Sequence, residues 1–244
     1  MNTISALFRR ELKSYFATPV AYVFIVIFLV LMSTFTFYLG NFYERGQADL
    51  APFFVFHPWL YLLLVPAIAM RLWAEERKTG SIELLMTLPI TPWQAVLGKY
   101  LAAWAFTGVA LLLTFPIWIT VNYLGDPDNG AIVAAYIGSF LMAGGFLAIG
   151  ACLSATTRNQ VIAFVITVVV CFVFLASGFP MVLDFFTSWA PQTLVDGIAS
   201  LSFLTHFENI SKGVIDLRDL IYFGLLISAF LYANTIVLRW KQAE

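Results

Sequence analysis

Six long apolar runs, at about 20–39, 53–70, 101–124, 132–155, 161–178 and 220–238, divide the chain, and polar residues collect in the breaks between them. The runs show no two-residue alternation. Each is close to the roughly 20 residues that a helix needs to cross a hydrocarbon core of about 30 Å. They predict six transmembrane helices, and the punctuation agrees. Pro19 opens the first run and Gly40-Asn41 closes it. Pro66 lies late in the second as a predicted kink, and Gly125-Asp-Pro-Asp-Asn-Gly130 is a dense turn signal after the third. Thr156-Thr-Arg-Asn159 separates the fourth from the fifth.

Two further stretches follow a different pattern. In residues 1–18, Ile4, Leu7, Phe8, Leu12, Tyr15 and Phe16 recur at helical spacing, while Arg9, Arg10 and Lys13 lie mostly off that stripe. This predicts an amphipathic interfacial helix on the membrane surface, with an ordinary helical lead-in to the first span as the alternative. Residues 179–219 are too polar to cross and too apolar to float. They predict short helices, about 181–189 and 194–207, resting in the outer interface or dipping partly into it, and a small soluble lid is the competing reading.

The only long charged passage, Arg71 to Tyr100, carries Arg71, Glu75, Glu76, Arg77, Lys78, Glu83 and Lys99. An ionised side chain at mid-bilayer depth costs roughly 2.5–3.5 kcal/mol, so this passage predicts an aqueous platform. Ser81 can cap a short helix at about 82–88 with Glu83 in its first turn, and Pro89 stops it. Thr91-Pro-Trp-Gln94 has capping-box spacing and starts the next helix. Leu84, Leu85, Met86 and Leu88 on a short aqueous helix need a cover, supplied by this chain's own helices or by another protein. Glu75, Glu76, Arg77 and Lys78 read either as rim charges that orient a partner or as a solvated membrane-surface face.

Composition supports the membrane assignment. Of 244 residues, 61% are hydrophobic and only 11% charged, against roughly 25% charged in an average soluble domain. With both termini inside, the inner segments hold ten basic residues: Arg9, Arg10, Lys13, Arg71, Arg77, Lys78, Lys99, Arg158, Arg239 and Lys241. The outer ones hold three, Arg45, Lys212 and Arg218. That asymmetry predicts cytoplasmic termini and a cytoplasmic platform. A formal net charge of −1 leaves no basic footprint for nucleic acid. The run at 17–39 is too long for a cleavable signal, and Cys152 and Cys171 read as small hydrophobes at helix contacts.

Missing chemistry narrows the function. No phosphate loop of the G-x-x-x-x-G-K-[ST] kind occurs, so any ATP-driven work needs a separate motor. No Asp, Glu, Lys or Arg falls in the middle of a predicted span, which argues against an ion-coupled carrier. His57 and His206 read as outer-rim residues with interfacial hydrogen bonds, without the partners a metal site or a catalytic triad needs. In the fourth run Gly144, Ala148 and Cys152 recur every fourth residue, with Gly145, Gly150 and Ala151 widening the small face. Such a stripe suits a close helix contact, within the chain or at a dimer seam.

The charged passage also carries a resemblance. Residues 70–101, MRLWAEERKTGSIELLMTLPITPWQAVLGKYL, look like the E-E-[RK]-x-[TS]-G-[ST]-x-E-L-L-x-[TS]-x-P-[IVL]-[ST] segment of ABC-2 type transporter permeases. The stretch Thr205 to Phe223 and the break Thr157-Arg-Asn-Gln160 are similar to the gliding-motility-associated group among them. The resemblance implies an all-α, six-span permease half in a bacterial inner membrane, paired with a second permease copy and with two cytoplasmic ATPase subunits. Segment 75–89 would be the coupling helix, with Glu75, Glu76, Arg77, Lys78, Thr79, Gly80, Ser81, Glu83, Leu84 and Leu85 at the ATPase. ATP and Mg would bind to that partner and no cofactor to this chain, which itself catalyses nothing. A membrane element passing ATPase motion to an envelope or periplasmic partner, without transport, is the second expectation.

Overall fold

The computed structural model describes residues 3–87 and 89–242, and for 84–86, 241 and 242 the backbone alone. Among the described residues there is no strand. The order is α1 (Thr3–Ala17), α2 (Pro19–Thr34) with a π-helical turn (Phe35–Leu39), α3 (Ala51–Phe54), α4 (His57–Ala69), α5 (Ala74–Thr79) and α6 (Ser81–Thr87). It continues with α7 (Pro92–Leu112), α8 (Phe115–Leu124), α9 (Asn129–Ser154), α10 (Gln160–Ala176), α11 (Pro180–Thr187), α12 (Gln192–Ala199), α13 (Phe203–Ser211) and α14 (Leu217–Gln242). Among the described residues five runs are long and apolar enough to cross a membrane: Pro19–Leu39, Ala51–Thr79, Pro92–Leu124, Asn129–Ser154 and Leu217–Trp240. A sixth is added if α10 and α11, bent by 71° at Gly178, form one span. The chain is a multi-pass membrane protein.

Helix α9 is the axis on which the rest is assembled, and its small residues explain why. A Cβ on Gly150 would come within 2.4 Å of Ala69 Cβ on α4, and one on Gly145 within 2.7 Å of Phe203 on α13. Lipid offers apolar groups no gain from burial against each other, so such bare backbone, which lets helices approach to van der Waals contact, is a main source of association. Around α9 pack α4, α7, α10, α13 and α14. The outward faces of α2 and α10, including Val23, Val26, Val30, Val165, Val169 and Val173, stay exposed as a lipid-facing surface must.

Local signals set the helix starts. Asp128 Oδ1 accepts from Gly130 N at 2.9 Å and Ala131 N at 3.1 Å, which caps α9. Asn159 Oδ1 does the same for α10 through Val161 N at 2.9 Å. At α7 the capping box is complete: Gln94 N donates to Thr91 Oγ1 at 3.3 Å and Thr91 N to Gln94 Oε1 at 3.0 Å. The helix of the third crossing therefore starts at Pro92, inside the charged platform, as the capping-box spacing predicts. The second run likewise stays helical past 70, through a turn at 70–73, as far as Thr79.

Two expectations change. The stretch 194–207 is not one helix at the interface. It is broken at 200–202, and Ser202 caps α13, accepting from Leu204 N at 3.2 Å. Phe203, Phe207 and Ile210 of α13 are then buried against the glycine face of α9, where Ile210 Cγ2 lies 2.8 Å from a Cβ on Gly138. Helix α13 is thus part of the core. His57 and His206, both expected at a polar rim, are buried, and His57 lies among rings, with centroids 4.6 Å from Phe53, 5.1 Å from Phe54 and 5.4 Å from Tyr61. Pattern alone missed the burial of His57 because the short helix α3 folds Phe53 and Phe54 back over it.

Candidate functional site

The charged passage folds into an elbow of two short helices at the end of the bundle where α9 terminates. The elbow starts where α4 ends, and the turn at 70–73 interrupts the helix and leaves backbone groups without helical partners. Ser154, fully buried at the end of α9, supplies them. Its hydroxyl donates to Met70 O at 2.9 Å and accepts from Trp73 N at 3.2 Å and Ala74 N at 3.0 Å. Arg77 adds a second link, donating from Nη1 to the carbonyl of Ala155. A cation at the negative end of a helix dipole is favourable, so α5 is tied to the C-terminus of α9 twice.

A buried lysine completes the joint. Lys99 of α7 is only 4% exposed, and its Nζ lies 2.7 Å from Glu76 Oε1 on α5 and 3.3 Å from Glu11 Oε2 on α1. It also sits 5.4 Å from the centroid of the buried Trp73 ring. Glu11 is paired in turn with Arg10 at 2.6 Å. Burial by itself would raise the Glu11 pKa, but the charges of Lys99 and Arg10 with their hydrogen bonds outweigh it and hold the carboxyl below its ordinary 4.5. Helix α1 docks through the predicted stripe: Leu7 is buried against Gly98, and Tyr15 stacks on Phe106 at 5.2 Å. The stripe therefore faces α7, with Arg9, Arg10 and Lys13 outward.

These contacts sort the candidate residues. Glu75 pairs with Arg71 at 2.9 Å, while Glu76 and Arg77 turn into the chain. Of the charged quartet, Lys78 is the one on the exposed surface, followed by Thr79 and Gly80 and, on α6, Glu83. Gly80 has φ of 74°, a left-handed conformation that a side chain makes costly, and it sets the angle between α5 and α6. Ser81 is the first residue of α6 rather than its cap, and its hydroxyl meets Thr79 Oγ1 at 2.9 Å. The glycine turn takes the place of the predicted serine cap. The side chains of Leu84, Leu85 and Met86, and Leu88 as a whole, lie outside the described residues.

Gly144, Ala148 and Cys152 all fall on α9. Gly144 O accepts from Tyr100 Oη at 3.1 Å and its bare Cα faces Trp104, so this part of the stripe meets α7. Ala148 is fully buried and Cys152 nearly so. Glu11 and Ser154 escaped the reading from sequence. The one available hint was an acidic residue on an otherwise basic amphipathic helix.

The profile of the ABC-2 family transporter proteins matches residues 43–238. The chain belongs to that family. No curated protein sequence matches it. As an ABC-2 family member it is a permease component of an ABC transporter, and such components do not hydrolyse ATP themselves. The match runs from the loop after α2 through the elbow to α14.

Proposed function

We propose that this chain is the dimerising permease subunit of an ATP-driven exporter, moved through its 75–89 segment by a separate cytoplasmic ATPase. With α10 and α11 counted as one span there are six, so both termini lie on the elbow's side of the membrane, and ten basic residues on that side against three on the other support the cytoplasmic side for it. The observation that carries the reading is the joint: a solvent-facing Gly80 turn sits on a helix tied to the central α9 by Ser154 and Arg77. A push on the elbow is then delivered to the helix on which α4, α7, α10, α13 and α14 pack. Lys99 passes the same displacement to α1 and α7.

In this assembly ATP and Mg belong to the ATPase, two copies of which face two permease copies. Lys78, Thr79, Gly80, Ser81 and Glu83 contact the ATPase, and Glu75, Glu76 and Arg77 hold the elbow in place. The test reverses only the exposed charges, Lys78→Glu with Glu83→Lys. Expected are loss of copurification with the ATPase and at least a tenfold loss of ATP-dependent transport in proteoliposomes, at unchanged thermal stability. Normal copurification and transport would remove the proposal.

A further inference from the structure

A second group of buried charges lies in the other half of the bundle, and the ATPase reading does not use it. His206 of α13 is 5% exposed at its side chain and Asp219 of α14 is 3% exposed, and His206 Nδ1 lies 2.5 Å from Asp219 Oδ1. His206 Nε2 lies 3.0 Å from the carbonyl oxygen of Ser200. A carbonyl only accepts, so Nε2 carries a hydrogen, and the contact with Asp219 then holds one further proton shared between the two groups. Whichever atom bears it, the pair has no net charge.

That leaves Asp219 Oδ2, buried and without a hydrogen-bond partner among the described residues. Asp219 and His206 lie in the wall of a cavity of 430 Å³, together with Asp196, Asn209, Asp216 and Arg218. With the His206–Asp219 pair neutral, two carboxylates face one cation and the cavity carries one net negative charge. No three acidic or His/Cys groups among the described residues stand close enough to hold a metal ion. The acceptors suit something larger than an ion.

We propose that this cavity binds an organic cation carrying an ammonium or guanidinium group, which donates to Asp219 Oδ2 at the floor and balances Asp196 and Asp216 at the rim. The cation is either a free small molecule or a lysine or arginine side chain of another protein. The first source makes this a cargo or effector site, the second a docking site. A charge-assisted hydrogen bond to a buried carboxylate is among the stronger polar contacts available, and the pocket supplies it at a preformed position.

The test is calorimetric titration of the purified full-length protein in nanodiscs with three probes: agmatine, a blocked Gly-Arg-Gly peptide, and the same peptide with citrulline for arginine. Sub-millimolar binding of agmatine or of the arginine peptide, with the citrulline peptide at least tenfold weaker, supports the site. Preference for agmatine names a free cation and preference for the peptide a partner side chain. Asp196→Asn with Asp216→Asn, both exposed and remote from the fold's core, should weaken binding at least tenfold. Absence of binding by both cationic probes, equal binding of the citrulline peptide, or undiminished binding by the double variant would overturn the proposal. None of these readouts depends on an ATPase.

Discussion

The two ends of this bundle use buried charge in opposite ways. At the elbow, Lys99 and Arg10 meet Glu11 and Glu76, so cations and carboxylates balance across three helices, and the neighbouring cavity is only 90 Å³. In the other half, His206 and Asp219 balance each other but the surrounding cavity of 430 Å³ keeps a negative excess. Each end leaves one carboxylate oxygen unpartnered among the described residues, Glu76 Oε2 and Asp219 Oδ2. Of these two residues, Asp219 belongs to the wall of the larger cavity, while Glu76 is not among those around the smaller one. A charge cluster that is closed and neutral is a mechanical joint, and one that is open and unbalanced is a receptor.

The largest effect should come from removing the cation of the joint. Lys99→Met leaves the buried Glu76 without its cation and Glu11 with only the exposed Arg10, and breaking a buried pair in this way costs about 3–5 kcal/mol. A fall of several degrees in the unfolding temperature in detergent is expected, with α1 becoming susceptible to protease. An unchanged melting temperature would mean that Lys99 joins nothing. By contrast, Asp219→Asn keeps shape and a hydrogen bond to His206, so it should cost less than Lys99→Met while abolishing cation binding.

Ser154→Ala should come next. It leaves the N–H groups of Trp73 and Ala74 and the carbonyl of Met70 without their shared hydroxyl, at a cost of about 1–3 kcal/mol. It should also lower transport per ATP hydrolysed, because α5 is then held to α9 by Arg77 alone. Coupling unchanged by Ser154→Ala would show that force reaches α9 by another route.

Acid sharpens the contrast further. Because the folded-state pKa of Glu11 lies below 4.5, its contribution is fully present above about pH 4.5 and is lost as pH falls through the folded value. Release of α1, read by fluorescence from a label at Ser5→Cys, should begin below that point and should lose its acid dependence in Glu11→Gln. The smallest effect belongs to the exposed pair Arg45–Asp49 at 3.4 Å, where Arg45→Ala should change stability by about 1 kcal/mol or less in the same melt.

Much of the crossing architecture was legible because each run is uniformly apolar and bounded by turn residues. The start of α7 was legible as well, since Thr91, Pro92 and Gln94 obey local capping rules that need no tertiary partner. What pattern could not supply were contacts between distant residues. Ser154 bonds Trp73 across 81 positions, and Lys99 meets Glu11 across 88. A serine at a helix end and a glutamate on a basic helix look ordinary until the fold brings their partners together. Helix α13 was misread for a related reason. Its single charges resemble an interfacial segment, while Phe203, Phe207 and Ile210 were fitted to glycines of α9 more than fifty positions earlier. Glu76 and Arg77, read from the sequence as rim charges, also have partners within the chain, Lys99 and the carbonyl of Ala155.

The central claim is that the Gly80 elbow is the surface an ATPase grips. Photo-crosslinking from a benzoylphenylalanine placed at Thr79, in native membranes, tests it most directly. The predicted product is an adduct with a nucleotide-binding ATPase, identified by mass spectrometry and changed in yield by ATP. No adduct, or adducts that never contain an ATPase, would contradict the account.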